Sequence, residues 1–145
     1  MTFNWINAWG GGIVALMLAP NLLYMFRFSG QNLCRNPWMN GLEQVGRYAS
    51  MALMVFPLGV WEFGFSSPGR MLLYFAGNGA LLLCYWIFWF LYFQKPARGR
   101  ALALAVVPAG IFLLSGLTLE HWLLTAAAVM FGVGHVYVTD QNTRG

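Results

Sequence analysis

Met71-Leu-Leu-Tyr-Phe-Ala-Gly-Asn78-Gly-Ala-Leu-Leu-Leu-Cys84-Tyr-Trp-Ile-Phe-Trp-Phe-Leu-Tyr-Phe93 runs for 23 residues without a charged side chain. As a helix it would rise about 34 Å, enough to cross a hydrocarbon core of about 30 Å. A barrel strand would be about 10 residues long and would alternate apolar with polar positions; no such alternation is present, so helix is the expected form. Working outward, the same continuous apolar character recurs at 7–26, 48–65, 101–119 and 122–139, giving five spans with 71–93. The composition agrees: 59% of residues are hydrophobic and 8% charged, against about 25% charged in an ordinary soluble domain. The fold class expected is therefore all-α integral membrane, one five-helix domain over residues 1–145.

Charge placement sets the orientation, because Lys and Arg near span ends are retained in the cytoplasm. With five spans, Arg27, Arg35, Arg47, Lys95, Arg98, Arg100 and Arg144 fall on one side and Arg70 alone on the other. The N-terminus is then outside and the C-terminus cytoplasmic. Deleting any one span would move everything after it to the other side and erase the asymmetry, so the split supports the count of five as well. The first stretch is expected to stay and span, since no basic residue precedes it and Arg27 follows it. Cys34 falls in the loop 27–47 and Cys84 midway down span three, so they cannot pair, and neither has a CxxC or Cys/His neighbour. The net charge of +4 belongs to the positive-inside pattern and to anionic lipid headgroups rather than to nucleic acid. No cofactor or metal motif is present.

The loop 27–47 is the one long connection. Its second half has the makings of an interfacial helix: Trp38 and Leu42 share a face, and Glu43 precedes Arg47 in the favourable i,i+4 order for an ion pair. A weak repeat links Ala52-Leu-Met-Val-Phe-Pro57 with Ala103-Leu-Ala-Val-Val-Pro108; each span opens with Gly-Arg, at 46–47 and 99–100. Parallel duplication of spans two and three into four and five would produce it, as would chance in so biased a composition. Pro20, Pro57 and Pro108 each leave a carbonyl one turn earlier without its helical donor, and in a bilayer that group is expected to face the bundle interior. Ala101, Ala105, Ala109, Ala128, Gly132 and Gly77 are small enough for close helix contact.

Polar residues within spans are costly in hydrocarbon and so point to partners or to function. By depth they form two sets. The inner set, expected to bind a ligand, is Asn21, Glu43, Gln44, Arg47, Arg100 and His135, with Asp140 nearby. Asn21 and His135 each need a hydrogen-bond partner, and two arrangements satisfy both: His135 tied to the carbonyl freed by Pro20, or a pocket open to the cytoplasm. The outer set is Glu62, Asn78, Arg70, Glu120 and His121, with Asn78 about 10 Å below the outer end of its span. Glu62, Arg70, Glu120 and His121 sit where headgroup-level charges belong. Glu62, Glu120 and His121 do not make a recognised zinc pattern. Of the aromatics, Tyr85, Trp86, Phe88, Trp89 and Phe90 in span three are suited either to facing lipid or to walling an apolar cavity.

The strings Ala19-Pro20-Asn21, Leu42-Glu43-Gln44-Val45-Gly46-Arg47, Arg100-Ala-Leu-Ala-Leu-Ala105, Phe112-Leu-Leu-Ser115-Gly116 and Gly134-His135 resemble a group of small uncharacterised membrane proteins of Gram-positive bacteria. The resemblance covers most of the chain and implies a bacterial plasma membrane, but no reaction. In architecture alone, five aromatic-rich helices are also similar to the tryptophan-rich sensory and translocator proteins that bind porphyrins and sterols; Asn36-Pro37-Trp38 is not that family's Trp-Pro pattern. Three function classes follow. The favoured one is binding or transport of a small lipophilic or amphiphilic molecule between helices. The second is an intramembrane enzyme with His135 as acid or base and Glu43 or Asp140 as its orienter; the lack of a nucleophile or metal cluster counts against it. The third is a subunit of a homo-oligomer or larger membrane complex, for which nothing specific is required. The topology predicts that cysteines introduced at Gln31 and Ala97 react with an impermeant maleimide from the same, cytoplasmic, face and that one at Ser67 reacts from the other; labelling of positions 31 and 97 from opposite faces would reject it.

Overall fold

The computed structural model describes residues 8–27, 36–56, 67–95 and 97–143. They form five helices: α1 (Ala8–Arg27), α2 (Pro37–Val55), α3 (Pro68–Gln94), α4 (Arg98–Thr118) and α5 (Trp122–Thr143). Three of them, α3, α4 and α5, are long and apolar enough to cross a membrane, and α1 carries a shorter apolar stretch over Trp9–Tyr24. Leu72, Leu83 and Phe90 on α3 and Leu123 and Val133 on α5 are each more than half exposed, the outward apolar surface that a lipid solvent accepts and water does not.

Helix α2 begins at Pro37, well before Tyr48, where the second span was expected to open. The local cause is a complete N-terminal cap: the Asn36 side chain accepts from the backbone N–H groups of Trp38 at 3.0 Å and Met39 at 3.3 Å, and Pro37 occupies the first turn, where no donor is needed. Residues 37–47 therefore form the helix that the second half of the loop 27–47 was expected to hold. They continue into 48–55 as one helix whose buried side is Glu43, Gly46, Ser50, Leu53 and Met54, while Trp38, Val45 and Tyr48 remain outside. The second half of the expected span, 56–65, lies outside the described residues beyond Phe56.

The helices close a ring in the order α1, α2, α5, α4, α3, with α5 packed closely on α2 and α4, and α4 on α3. Helix α1 touches α2 and α3 more lightly. Small residues make the tight seams. A Cβ at Gly46 would stand 2.5 Å from the backbone nitrogen of Phe131, and one at Gly134 would stand 2.6 Å from that of Glu43. Across α4 and α5, a Cβ at Gly132 would meet the Ala109 methyl at 3.2 Å, and Ala101, Ala105 and Ala128 are buried. The intimate α4–α5 pairing has no counterpart between α2 and α3, which are not packed neighbours; the sequence likeness of the two halves is not matched by a common helix-pair geometry.

The α4–α5 reversal is the tight turn that the short connection requires. The N–H of His121 donates to the Gly116 carbonyl at 2.8 Å and that of Glu120 to Leu117 at 3.3 Å, the paired bonds of a Schellman ending. Glu120 carries the left-handed conformation, φ 53°. We predict that Gly46→Ala and Gly134→Ala each destabilise the bundle by about 1–3 kcal/mol, because helix backbones must separate to admit the methyl. Gly12→Ala, with nothing within 4 Å of its Cβ, should unfold as wild type does in detergent titration; equal losses at all three positions would refute the close α2–α5 contact.

Candidate functional site

The glycine contact between α2 and α5 places Glu43 beside His135. Glu43 Oε1 accepts from Arg47 Nη2 at 2.6 Å, the i,i+4 pair expected from sequence, and Glu43 Oε2 lies 3.6 Å from His135 Nδ1. The Glu43 side chain is buried. The His135 imidazole is stacked on Phe131, with ring centroids 4.7 Å apart, and the Arg47 guanidinium stands 5.9 Å from the same Phe131 ring. The result is one linked unit, in which arginine holds the carboxylate and the carboxylate faces the imidazole.

This unit opens on a cavity of about 600 Å³ inside the ring, to which every helix contributes. Asn21 and Tyr24 come from α1, Glu43, Gln44 and Arg47 from α2, Tyr85, Trp89 and Tyr92 from α3, Ala101, Leu104 and Ala105 from α4, and His135, Val138, Thr139 and Asn142 from α5. A second, mainly apolar chamber of about 430 Å³ adjoins it, lined by Val14, Met17, Leu18, Leu22, Tyr48, Met51, Pro108, Phe112 and Phe131. Asn21, Tyr24, Arg47, Tyr85 and His135 line both. Leu18, Leu22 and Tyr48 are also exposed on the outside, so the apolar chamber reaches the surface at the α1–α2 seam.

Of the inner residues expected to act together, Asn21, Glu43, Gln44, Arg47 and His135 are brought to this cavity. Arg100 is not: its Nη1 donates to the carbonyls of Leu91 at 2.7 Å and Lys95 at 2.9 Å, placing a cation on the C-terminus of α3, where the helix dipole favours it. Asp140 pairs with Arg98 instead of orienting His135. Nor does His135 tie to the carbonyl freed by Pro20. That carbonyl, Leu16, accepts from the indole nitrogen of Trp86 at 3.0 Å, on the exposed side of α3 rather than in the bundle interior. Asn21 donates to Met17 at 2.7 Å and to the Tyr85 hydroxyl at 2.7 Å. Pro20 and Pro108 are buried; Pro57 lies outside the described residues.

The aromatic wall was the part that sequence left open. Tyr85, Trp89 and Tyr92 follow i, i+4, i+7 spacing and so form one stripe on α3, whereas Trp86 and Phe90 face outward. Trp89 packs on Tyr24 at 5.3 Å and on Phe93 at 5.3 Å, and meets Tyr85 at 6.2 Å edge-on. Its indole Nε1 is buried without a hydrogen-bond partner.

The outer set does different work. Asn78 Nδ2 donates to Ser115 Oγ at 3.0 Å between buried side chains, tying α3 to α4. Arg70 Nη1 donates to the Leu117 carbonyl at 2.8 Å and lies 3.5 Å from Glu120, while His121 is buried in the α4–α5 turn, where its carbonyl accepts from the Thr125 hydroxyl at 3.1 Å. Glu62 lies outside the described residues. Among the described residues no group of three His, Cys, Asp or Glu is placed to hold a metal ion.

No protein-family model matches the chain, and no curated protein or solved structure is similar to it. The site must be read from its own geometry. That geometry predicts a double-mutant cycle. Trp86→Phe removes the donor to the Leu16 carbonyl and should cost about 1 kcal/mol; in a Pro20→Ala background, where the helix supplies its own N–H, the same change should cost measurably less. Equal costs in the two backgrounds, measured by denaturant titration, would show that the indole does not serve the freed carbonyl.

Proposed function

We propose that the chain is a five-span protein of a bacterial plasma membrane, N-terminus outside and C-terminus cytoplasmic, that binds or carries a small, partly apolar molecule between its helices. The observation that carries this reading is the convergence of side chains from all five helices, Asn21, Glu43, Arg47, Tyr85 and His135 among them, on one cavity of about 600 Å³. Its size is within the range of small-molecule sites, about 300–1,000 Å³, and its mixture of aromatic walls with a few placed polar groups is the usual make-up of such sites. A scaffold that needed only to tie helices together would have no reason to hold polar groups around open space, because unfilled volume and desolvated polar atoms both destabilise.

The basic residues Lys95, Arg98 and Arg100 stand at the end of the bundle nearest the cavity, and positive-inside placement then turns its polar mouth toward the cytoplasm. Helix α2 is the least apolar of the five, and it supports a spanning role by turning Glu43 and Ser50 inward and Val45 and Tyr48 outward. A second reading, acid–base catalysis by His135, has one observation in its favour: the Glu43 carboxylate facing Nδ1 at 3.6 Å, as an orienting partner would.

The test is the content of the purified protein. An organic extract of wild type in maltoside detergent is expected to contain, by mass spectrometry, one amphiphile near one-to-one stoichiometry. His135→Ala and Arg47→Lys, which keeps the charge that neutralises Glu43, should elute as wild type does on size exclusion and lose much of that molecule. Extracts with only detergent and lipids in bulk membrane proportions, for wild type as for the variants, would overturn the binding reading. Turnover of the recovered molecule by wild type and not by His135→Ala would favour the catalytic one.

A further inference from the structure

The two joined chambers differ in chemistry, the second being the more apolar, and that contrast describes a ligand. The polar chamber holds donors that no group within it takes up. Arg47 commits one nitrogen to Glu43 and retains further N–H groups of the five that a guanidinium carries. The Tyr85 hydroxyl accepts from Asn21 and so keeps its own hydrogen to give. Trp89, buried and without a partner for its indole N–H, lines the same space; an indole can only donate. Glu43 is the one carboxylate on the lining. One of its oxygens is held by Arg47, and the other, which makes no hydrogen bond, lies 3.6 Å from His135 Nδ1. The group that such a chamber would satisfy is an acceptor with negative charge.

The neighbouring chamber meets such a group only along the edge it shares at Asn21, Arg47, Tyr85 and His135; Val14, Met17, Leu22, Met51, Phe112 and Phe131 are among its other walls. Hydrocarbon is what it would take from the bilayer at no loss of hydrogen bonds. The rim residues Leu18, Leu22 and Tyr48 lie exposed on either side of the α1–α2 seam. This is one of the two seams at which α1 packs lightly.

Resting on the ligand-binding reading above, we propose that the molecule held is a single-chain lipid anion, a fatty carboxylate or monoalkyl phosphate. Its head lies against Arg47, Trp89 and Tyr85 and its chain runs through the apolar chamber to the bilayer between α1 and α2. Head and chain meet where the chambers join, at Asn21, Arg47, Tyr85 and His135.

The test uses a diazirine-bearing palmitate photocrosslinked to the full chain in phosphatidylcholine nanodiscs, with labelled positions mapped by mass spectrometry. Labelling should concentrate on α1 residues 14–22 and α2 residues 47–51. Palmitate and hexadecyl phosphate should compete at least about tenfold better than hexadecanol, the loss expected when charged hydrogen bonds are absent. Acetate and inorganic phosphate should not compete at matched concentration. Arg47→Gln and Trp89→Phe should each weaken palmitate binding about tenfold while leaving hexadecanol competition unchanged; if Arg47→Gln fails to fold, Trp89→Phe decides. Competition by hexadecanol equal to palmitate would overturn the anionic head and leave the pocket reading standing. Competition by acetate or phosphate equal to palmitate would overturn the chain. Labelling spread evenly over the outward residues Leu72, Leu83 and Phe90, with no enrichment at the chambers, would overturn both the inference and the reading beneath it.

Discussion

The arrangement of this protein depends on the near contact of two backbones, α2 at Gly46 and α5 at Gly134. Each glycine sits where a methyl group would collide with main-chain atoms of the other helix, so the two backbones approach closely. That approach does more than close a seam. It carries the first half of α2 into the bundle, buries the Glu43 carboxylate and aligns it with His135 one helix away. The burial of Glu43 is tolerable because Arg47, one turn along the same helix, neutralises it.

The opposite side of the ring is built on the opposite rule. Where α2, α5 and α4 meet through Gly and Ala, α1 meets α3 through large rings: Trp9 on Phe75 with centroids at 5.3 Å, Trp86 on the Leu16 carbonyl at 3.0 Å and Tyr24 on Trp89 at 5.3 Å. Aromatic side chains hold helices apart while still binding them. Tight packing on one side with spacing on the other leaves a void within the ring, and the cavity is that void. The proline break in α1 belongs to the same seam, because the carbonyl it frees is the one that Trp86 takes up.

The end of the bundle that holds Arg70, Asn78 and the α4–α5 turn is, by contrast, a clamp. Asn78 to Ser115 fastens α3 to α4 inside the core, Arg70 holds the Leu117 carbonyl near the end of α4, and the Schellman turn at Leu119–His121 reverses the chain within three residues. These bonds are local in purpose, and they leave the polar chemistry at the other end as the part of the molecule not explained by its own stability.

Residue chemistry along the chain was enough to determine the helical class, the span-like helices α3, α4 and α5, the Glu43–Arg47 pair and the gathering of Asn21, Glu43, Gln44, Arg47 and His135 at one depth. Each of these follows from local periodicity or from hydropathy along one helix, which sequence records directly. Tertiary structure alone decided which polar groups meet. Arg100 had the right depth, yet the end of α3 claimed it; Asp140 was near His135 in sequence and went to Arg98. The inward turn of the first half of α2 also needed the fold, since a segment carrying Glu43 and Arg47 reads as an interfacial helix until Gly134 shows what covers it. The aromatic stripe of Tyr85, Trp89 and Tyr92 differs from Trp86 and Phe90 only by rotation about one helix axis, and an apolar helix with aromatics on every side does not reveal which face its neighbours will choose.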